Sequence, residues 1–151
     1  MNILVLSGTD SSSWIAKEIL SSTMVERYSW VIQSKHLTQI PRQNVRTTSH
    51  VMLDNSEAEK YDVVISHAGA GSTFWALENN KQLITIVDLR RADKHQSDLG
   101  TWLHENRYSY VLQNRIPAID EIEEVARDEF NRYHPDIFDI KQIWATDESI
   151  R

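Results

Sequence analysis

The sequence contains no cysteine, which excludes a disulfide framework, a thiolate-held metal and a cysteine nucleophile. Glycine and proline are scarce, at 4 and 3 residues. No low-complexity tract, linker or internal repeat is visible, so residues 1–151 read as one domain. No apolar run approaches the roughly 20 residues a membrane span needs; the first one stops at Ser7. The N-terminus also lacks the basic region and long apolar stretch of a signal peptide, so the chain is expected to be cytoplasmic. Basic residues are outnumbered 16 to 22, for a net charge of −6. That balance excludes a broad nucleic-acid or anionic-membrane surface but leaves room for a small local anion site. No Asp-x-Asp occurs to hold a metal by carboxylates, and no Gly-x-Ser-x-Gly to form a hydrolase elbow. The histidines at 36, 50, 104 and 134 are scattered without metal-ligand spacing.

What is present alternates. Short apolar runs rich in β-branched residues fall at 3–6, 30–32, 63–65, 83–87 and, more weakly, 110–112; residues 45–52 are ambiguous and hold at most one strand. Between them lie stretches of helical period. Residues 13–21 carry Trp14, Ile15, Ile19 and Leu20, and residues 95–106 carry Leu99, Trp102 and Leu103. Residues 118–133 carry Ile119, Ile122, Ala126 and Phe130. The acidic positions Asp120, Glu121, Glu123 and Glu124 read as a solvated helix start favoured by the macrodipole. The pattern predicts an α/β fold, a Rossmann-like parallel sheet with helices on both faces. Ligands of such sheets sit beyond the carboxyl ends of the strands, which singles out the loops 7–10, 66–72 and 88–96.

The middle loop, Ser-His-Ala-Gly-Ala-Gly-Ser at 66–72, spends two of the four glycines one residue apart. Gly69 and Gly71 permit positive φ and let a ligand approach the backbone. Ser72 reads as the N-cap of a helix starting at 73, whose free N–H groups would bind an anion, and His67 adds a donor or a charge. The same residues also suit a tight packing turn. The longer Gly-x-Gly-x-x-Gly fingerprint fails, because position 74 is Phe. Arg90 and Arg91 are further anion candidates, although adjacent arginines in a loop are ordinarily solvated.

Residues 66–72, followed after the next strand by Asp93, Lys94, His95 and Gln96, resemble the donor-binding C-terminal half of the GT-B glycosyltransferases. The likeness extends to the stand-alone small subunits of the dolichol-linked chitobiose synthase and of two-part bacterial exopolysaccharide glycosyltransferases. It covers nearly the whole chain in element order, with its sharp motifs confined to 66–96. The resemblance implies that Gly8, Thr9, His67, Gly69, Gly71 and Ser72 surround the diphosphate of a UDP-sugar. It implies also that Asp93, His95 and Gln96 meet the sugar hydroxyls, groups that carboxylates and carboxamides recognise well. No catalytic residue is assigned; His67 is the best candidate. Many relatives place Glu where this chain has Trp75, which moves ribose recognition to Glu78 or another group, or replaces it by packing.

By the same resemblance the chain is the donor-binding subunit of a two-component enzyme. That enzyme would transfer a sugar from a UDP-sugar, with no other cofactor and no metal, to a lipid-linked acceptor. The acceptor site would lie on a membrane-associated partner subunit, through which the chain reaches the inner face of the membrane without inserting. A non-catalytic nucleotide- or anion-binding regulatory module is the alternative, and a small Rossmann-like enzyme acting alone a third. After Pro135, the residues Ile137, Ile140, Ile143 and Trp144 recur at helical spacing, on a tail (135–151) suited either to self-packing or to partner docking. Removal of residues 136–151 is expected to leave a folded domain that binds UDP but no longer holds its partner in co-purification. Loss of folding would assign the tail to the core, and retained assembly would place the interface elsewhere.

Overall fold

Strand alternation is resolved face by face. In the computed structural model, which describes residues 1–8, 12–37, 42–92 and 94–135, six strands form one parallel sheet. They are β1 (Asn2–Leu6), β2 (Ser29–Gln33), β3 (Val45–Thr48), β4 (Val63–His67), β5 (Gln82–Val87) and β6 (Tyr110–Gln113), in the order β3-β2-β1-β4-β5-β6. Ile3, Val5, Val63, Ile65, Ile84 and Ile86 point into one apolar layer, and Leu4, Leu6, Val64 and Leu83 into the other. A strand buried on both faces has no polar alternation, which is why these segments read as continuous apolar runs. Thr9, Asp93 and the tail 136–151, with Ile137, Ile140, Ile143 and Trp144, lie outside the described residues.

The helices divide between the two layers. α1 (Ser13–Ser21) and α5 (Ile119–Arg127) cover the first, through Ile15, Ala16, Ile19 and Leu20 and through Ile122 and Val125. α2 (Asn55–Ala58), α3 (Ala70–Glu78) and α4 (His95–Glu105) cover the second, through Ala58, through Trp75, Ala76 and Leu77, and through Leu103. The expected doubly covered sheet is therefore the observed one. α2 escaped the sequence reading, although Asp54 and Glu57 carry its signal: Asp54 accepts from the Glu57 N–H at 2.8 Å and from the Ser56 hydroxyl at 2.7 Å. Of the ambiguous stretch 45–52, only residues 45–48 pair with β2.

Two expected boundaries move. The helix expected to start at 73 with Ser72 as its cap begins at Ala70 with Gly69 in the cap position. Trp75 therefore stands in the second turn. The helix expected over 118–133 ends at Arg127, where Asp128 turns extended at φ −74°, ψ 157°. The chain then runs back across the sheet's lower end. Gln82 Nε2 donates to the Asp128 carbonyl at 2.7 Å, and Asn131 donates through its N–H and side chain to the Arg107 and Asn106 carbonyls. Phe130 still reaches the first layer, and Tyr133 joins Phe74, Trp102 and Tyr108 in an aromatic cluster. Phe130 and Tyr133 are thus packed without helix, while Ile119, Ile122 and Ala126 lie within α5.

α5 is pinned by its acids, which are not merely solvated. Glu121 accepts from Arg115 through both guanidinium nitrogens, from the Tyr110 hydroxyl at 2.9 Å and from the Ala118 N–H at 2.8 Å. Glu123 accepts from Tyr28 at 2.5 Å and faces Arg27 at 3.1 Å. The Arg115 contact, ahead of the backbone and tyrosine bonds, lowers the Glu121 pKa to about 2. A depressed carboxylate stabilises the fold above its unfolded value and loses that contribution as pH falls through the folded one. Chemical denaturation is expected to show stability falling between the ordinary glutamate value of 4.5 and about 2, with Glu121→Gln lacking that part of the fall.

Candidate functional site

Chain order breaks between β1 and β4, which are neighbours in the sheet but not in sequence. The loop after β1 leads to α1 on one face, and the loop after β4 leads to α3 on the other. Diverging loops leave a crevice beyond the strand ends, the place where open parallel sheets bind ligands.

His67 closes the floor of that crevice. Its Nδ1 lies 3.1 Å from the Leu6 carbonyl oxygen; a carbonyl only accepts, so Nδ1 carries the proton and Nε2 presents a lone pair. The ring runs between Gly8 and Gly69: a Cβ built on either glycine would come closer than 3.0 Å to His67 Nε2 and Cε1. Positive φ was expected at Gly69 and Gly71, and neither uses it. Gly69 sits at φ −88°, and the glycine with positive φ is Gly8, at 69°. What Gly69 supplies is space for the imidazole. Burial, the main effect, lowers the His67 pKa below the ordinary 6.5, and the positive charge of Arg91 acts in the same direction. The Leu6 bond opposes both.

Above the ring stands the N-terminus of α3. Its first internal bond runs from the Thr73 N–H to the Gly69 carbonyl at 3.1 Å, so the N–H groups of Ala70, Gly71 and Ser72 have no partner within the helix. A Cβ at Gly71 would meet nothing within 4 Å: this glycine borders open space. The Ser72 hydroxyl turns inward, 2.6 Å from Ser66 Oγ and 3.3 Å from the Gly69 carbonyl. Any anion it binds is met through its backbone N–H.

The third wall is the loop after β5, and its centre is a residue the sequence reading passed over. Asp88 accepts from Trp14 Nε1 at 3.2 Å and from Arg90 at 2.8 and 3.1 Å, while its own N–H donates to Gln96 Oε1 at 3.2 Å. The Arg90 contact, first among several, holds the Asp88 carboxyl below its usual range. Arg90 is also stacked over Trp14, 4.8 Å from the ring, so its charge is committed within the fold and is not simply solvated. The signal for Asp88 was an acid placed directly after the apolar run 83–87. Of the sugar-loop residues, His95 opens α4 and is exposed, whereas Gln96 is only 8% exposed and has its carbonyl oxygen engaged on Asp88. Its NH2 end is what remains for a ligand. Trp75, 7% exposed, donates from Nε1 to the Asp54 carbonyl at 3.0 Å and so ties α3 to the loop before α2. Glu78 stands at the far end of α3, about 12 Å of helix from its start, with its charge acting on Tyr133. Neither occupies the first turn of α3. Thr9 and Asp93 lie outside the described residues. Those residues contain no group of three His, Cys, Asp or Glu able to hold a metal ion, and no helix long and apolar enough to cross a membrane.

A parallel sheet of this order, with a glycine-flanked histidine and a helix N-terminus at its switch point, is a Rossmann-like arrangement. The family of glycosyltransferase family 28 C-terminal domains matches residues 3–133, and the chain belongs to it. Among curated proteins it is similar to the UDP-N-acetylglucosamine transferase subunit ALG13 of Homo sapiens, at 35% identity over 60 residues. Those residues are 40% of this chain and 5% of that one. It is also similar to the subunit of the same name from Candida albicans, at 33% over 67 residues, 44% and 22% of the two chains. The chain thus spans a small part of the curated relatives it matches. Among solved structures, the glycosyltransferase SnogD from Streptomyces nogalater superposes with a TM-score of 0.62 at 18% identity, over 85% of this chain and 35% of that one. The glycosyltransferase of kitacinnamycin gives 0.64 at 16%, over 84% and 35%. At such identities the likeness is one of fold.

The clasp around His67 makes a testable claim about Gly69. Its φ, ψ of −88°, 133° suits any residue, so Gly69→Ala is expected to cost stability only through the collision with the imidazole, about 1–3 kcal/mol. In a His67→Ala background the same change is expected to cost almost nothing. Urea unfolding of the four proteins measures the coupling; equal cost in both backgrounds would show that the imidazole does not fill that space.

Proposed function

We propose that the chain is the donor-binding subunit of a two-component glycosyltransferase that takes its sugar from a UDP-sugar. The observation that carries this reading is the juxtaposition at the switch point: unpartnered N–H groups of α3, open space over Gly71 and the His67 ring wedged between Gly8 and Gly69. A diphosphate suits such a site because backbone N–H groups and the helix dipole stabilise its charge, including the charge that builds on UDP as it departs. The name shared by the curated relatives supports UDP-N-acetylglucosamine as donor, and their designation as subunits supports a partner chain. The sugar would extend toward the loop of residues 93–96. The partner, membrane-associated in this reading, would hold the acceptor, a lipid-linked glycan, across the crevice.

Gly71 gives the sharpest test, because a methyl there touches nothing in the fold. Gly71→Ala is expected to leave unfolding stability unchanged or raise it by up to about 1 kcal/mol. Its affinity for UDP-N-acetylglucosamine should fall at least about tenfold, or 1.4 kcal/mol, in calorimetric titration. His67→Ala is expected to weaken UDP and UDP-sugar alike, by roughly 1–3 kcal/mol, the range for hydrogen bonds to charged groups. Unaltered affinity in Gly71→Ala would remove the ligand from the start of α3.

A further inference from the structure

We infer that His67 engages the donor diphosphate only as the imidazolium, so that donor binding carries a proton into the site. The inference rests on the donor-binding reading and goes beyond it, since a helix N-terminus alone would bind the anion without any proton.

The argument begins with the tautomer. The Leu6 carbonyl, 3.1 Å from Nδ1, claims the single N–H of a neutral ring. Rotation of the ring to offer that N–H elsewhere would break the Leu6 bond and withdraw the imidazole from the spaces left by the missing side chains of Gly8 and Gly69. Nε2 is therefore the edge between the two loops, beside the start of α3, and in the neutral ring it is a lone pair. A lone pair facing a phosphate oxygen is repulsive. The contact becomes a charge-assisted hydrogen bond only when Nε2 is protonated.

The surroundings keep the ring neutral until the anion arrives. Burial and the charge of Arg91, on the loop after β5, both disfavour the imidazolium. The unpartnered N–H groups of α3 add partial positive charge from above. At the ends of β1 and β4 the neighbours are the neutral Ser7, Ser66 and the Leu6 carbonyl, and among the described residues no carboxylate acts on the ring. A diphosphate reverses that field. The proton comes from solvent to Nε2, no covalent bond changes, and it leaves again with UDP.

The sign follows by linkage. The bound pKa lies above the free one, so between the two values binding takes up as much as one proton. Affinity then rises as pH falls, by up to about tenfold per pH unit. Above the bound pKa affinity is low and flat.

The test uses UDP-N-acetylglucosamine, each of whose phosphates is substituted on two sides. It lacks the second ionisation near roughly pH 6 that a terminal phosphate has, so proton uptake reports the protein. Calorimetry of the intact chain at neutral pH, in buffers of differing ionisation enthalpy, is expected to show net uptake in the wild type. His67→Gln, whose amide donates without titrating, is expected to show none and to bind with a flat pH profile. Nitrogen-15 spectra of the wild-type imidazole supply a second readout that needs no variant: an Nδ1–H tautomer in the free chain and an imidazolium in the complex. A complex that forms with no uptake and a neutral His67 overturns the inference and leaves donor binding standing. No binding of the nucleotide sugar at any pH overturns both.

Discussion

The hydrogen bond from His67 to the Leu6 carbonyl joins the ends of two adjacent strands whose chains immediately part company. At a switch point the two loops diverge, because their helices pack on opposite faces. The imidazole bridges them where they part. It occupies the gap between the loops and forbids side chains at Gly8 and Gly69. It also presents a single nitrogen between them. The crevice owes its shape to this one side chain, and its chemistry to which of the two nitrogens the carbonyl has taken.

The remaining walls are braced from outside the crevice. Asp88 gathers Trp14 of α1, Arg90 and the Gln96 amide around the end of β5. It thereby links a helix of one layer to a helix of the other. Trp75 performs a similar service across α3, holding the Asp54 carbonyl. Both arrangements satisfy buried polar groups that would otherwise cost stability. Both also leave the first turn of α3 free of side-chain caps, which an anion-binding helix end requires.

Comparison with the relatives gives this economy a context. The family match takes in residues 3–133, and the solved glycosyltransferases superpose over about a third of their own length. A domain of this kind offers a crevice at its switch point, bordered by the start of α3. Part of the charge on its own groups is spent internally: Arg90 on Asp88, Arg115 on Glu121, Lys60 on Glu57. Backbone N–H groups, which carry no counter-charge to be neutralised, are left for the ligand.

The sequence by itself determined the fold class and singled out the loops that border the crevice. Apolar runs of strand length separated by helical periods leave few arrangements other than a doubly covered parallel sheet, and loops after strands are where such sheets bind. It also carried His67 and the glycines beside it. What it did not determine was what each residue is for. Gly69 and Gly71 look alike in sequence, yet one makes room for an imidazole and the other borders open space. Ser72 reads as a cap and lies two residues inside the helix, because Gly69 already accepts the first bond. Gln96 reads as a ligand and spends its carbonyl on Asp88. The apolar stripe lies in α5 as far as Ala126, but its last member, Phe130, packs against the core beyond the helix end. Local spacing specifies which face a residue can reach. The partner it meets there comes from an element as many as 95 residues away, as Tyr28 and Glu123 show, and only packing decides it.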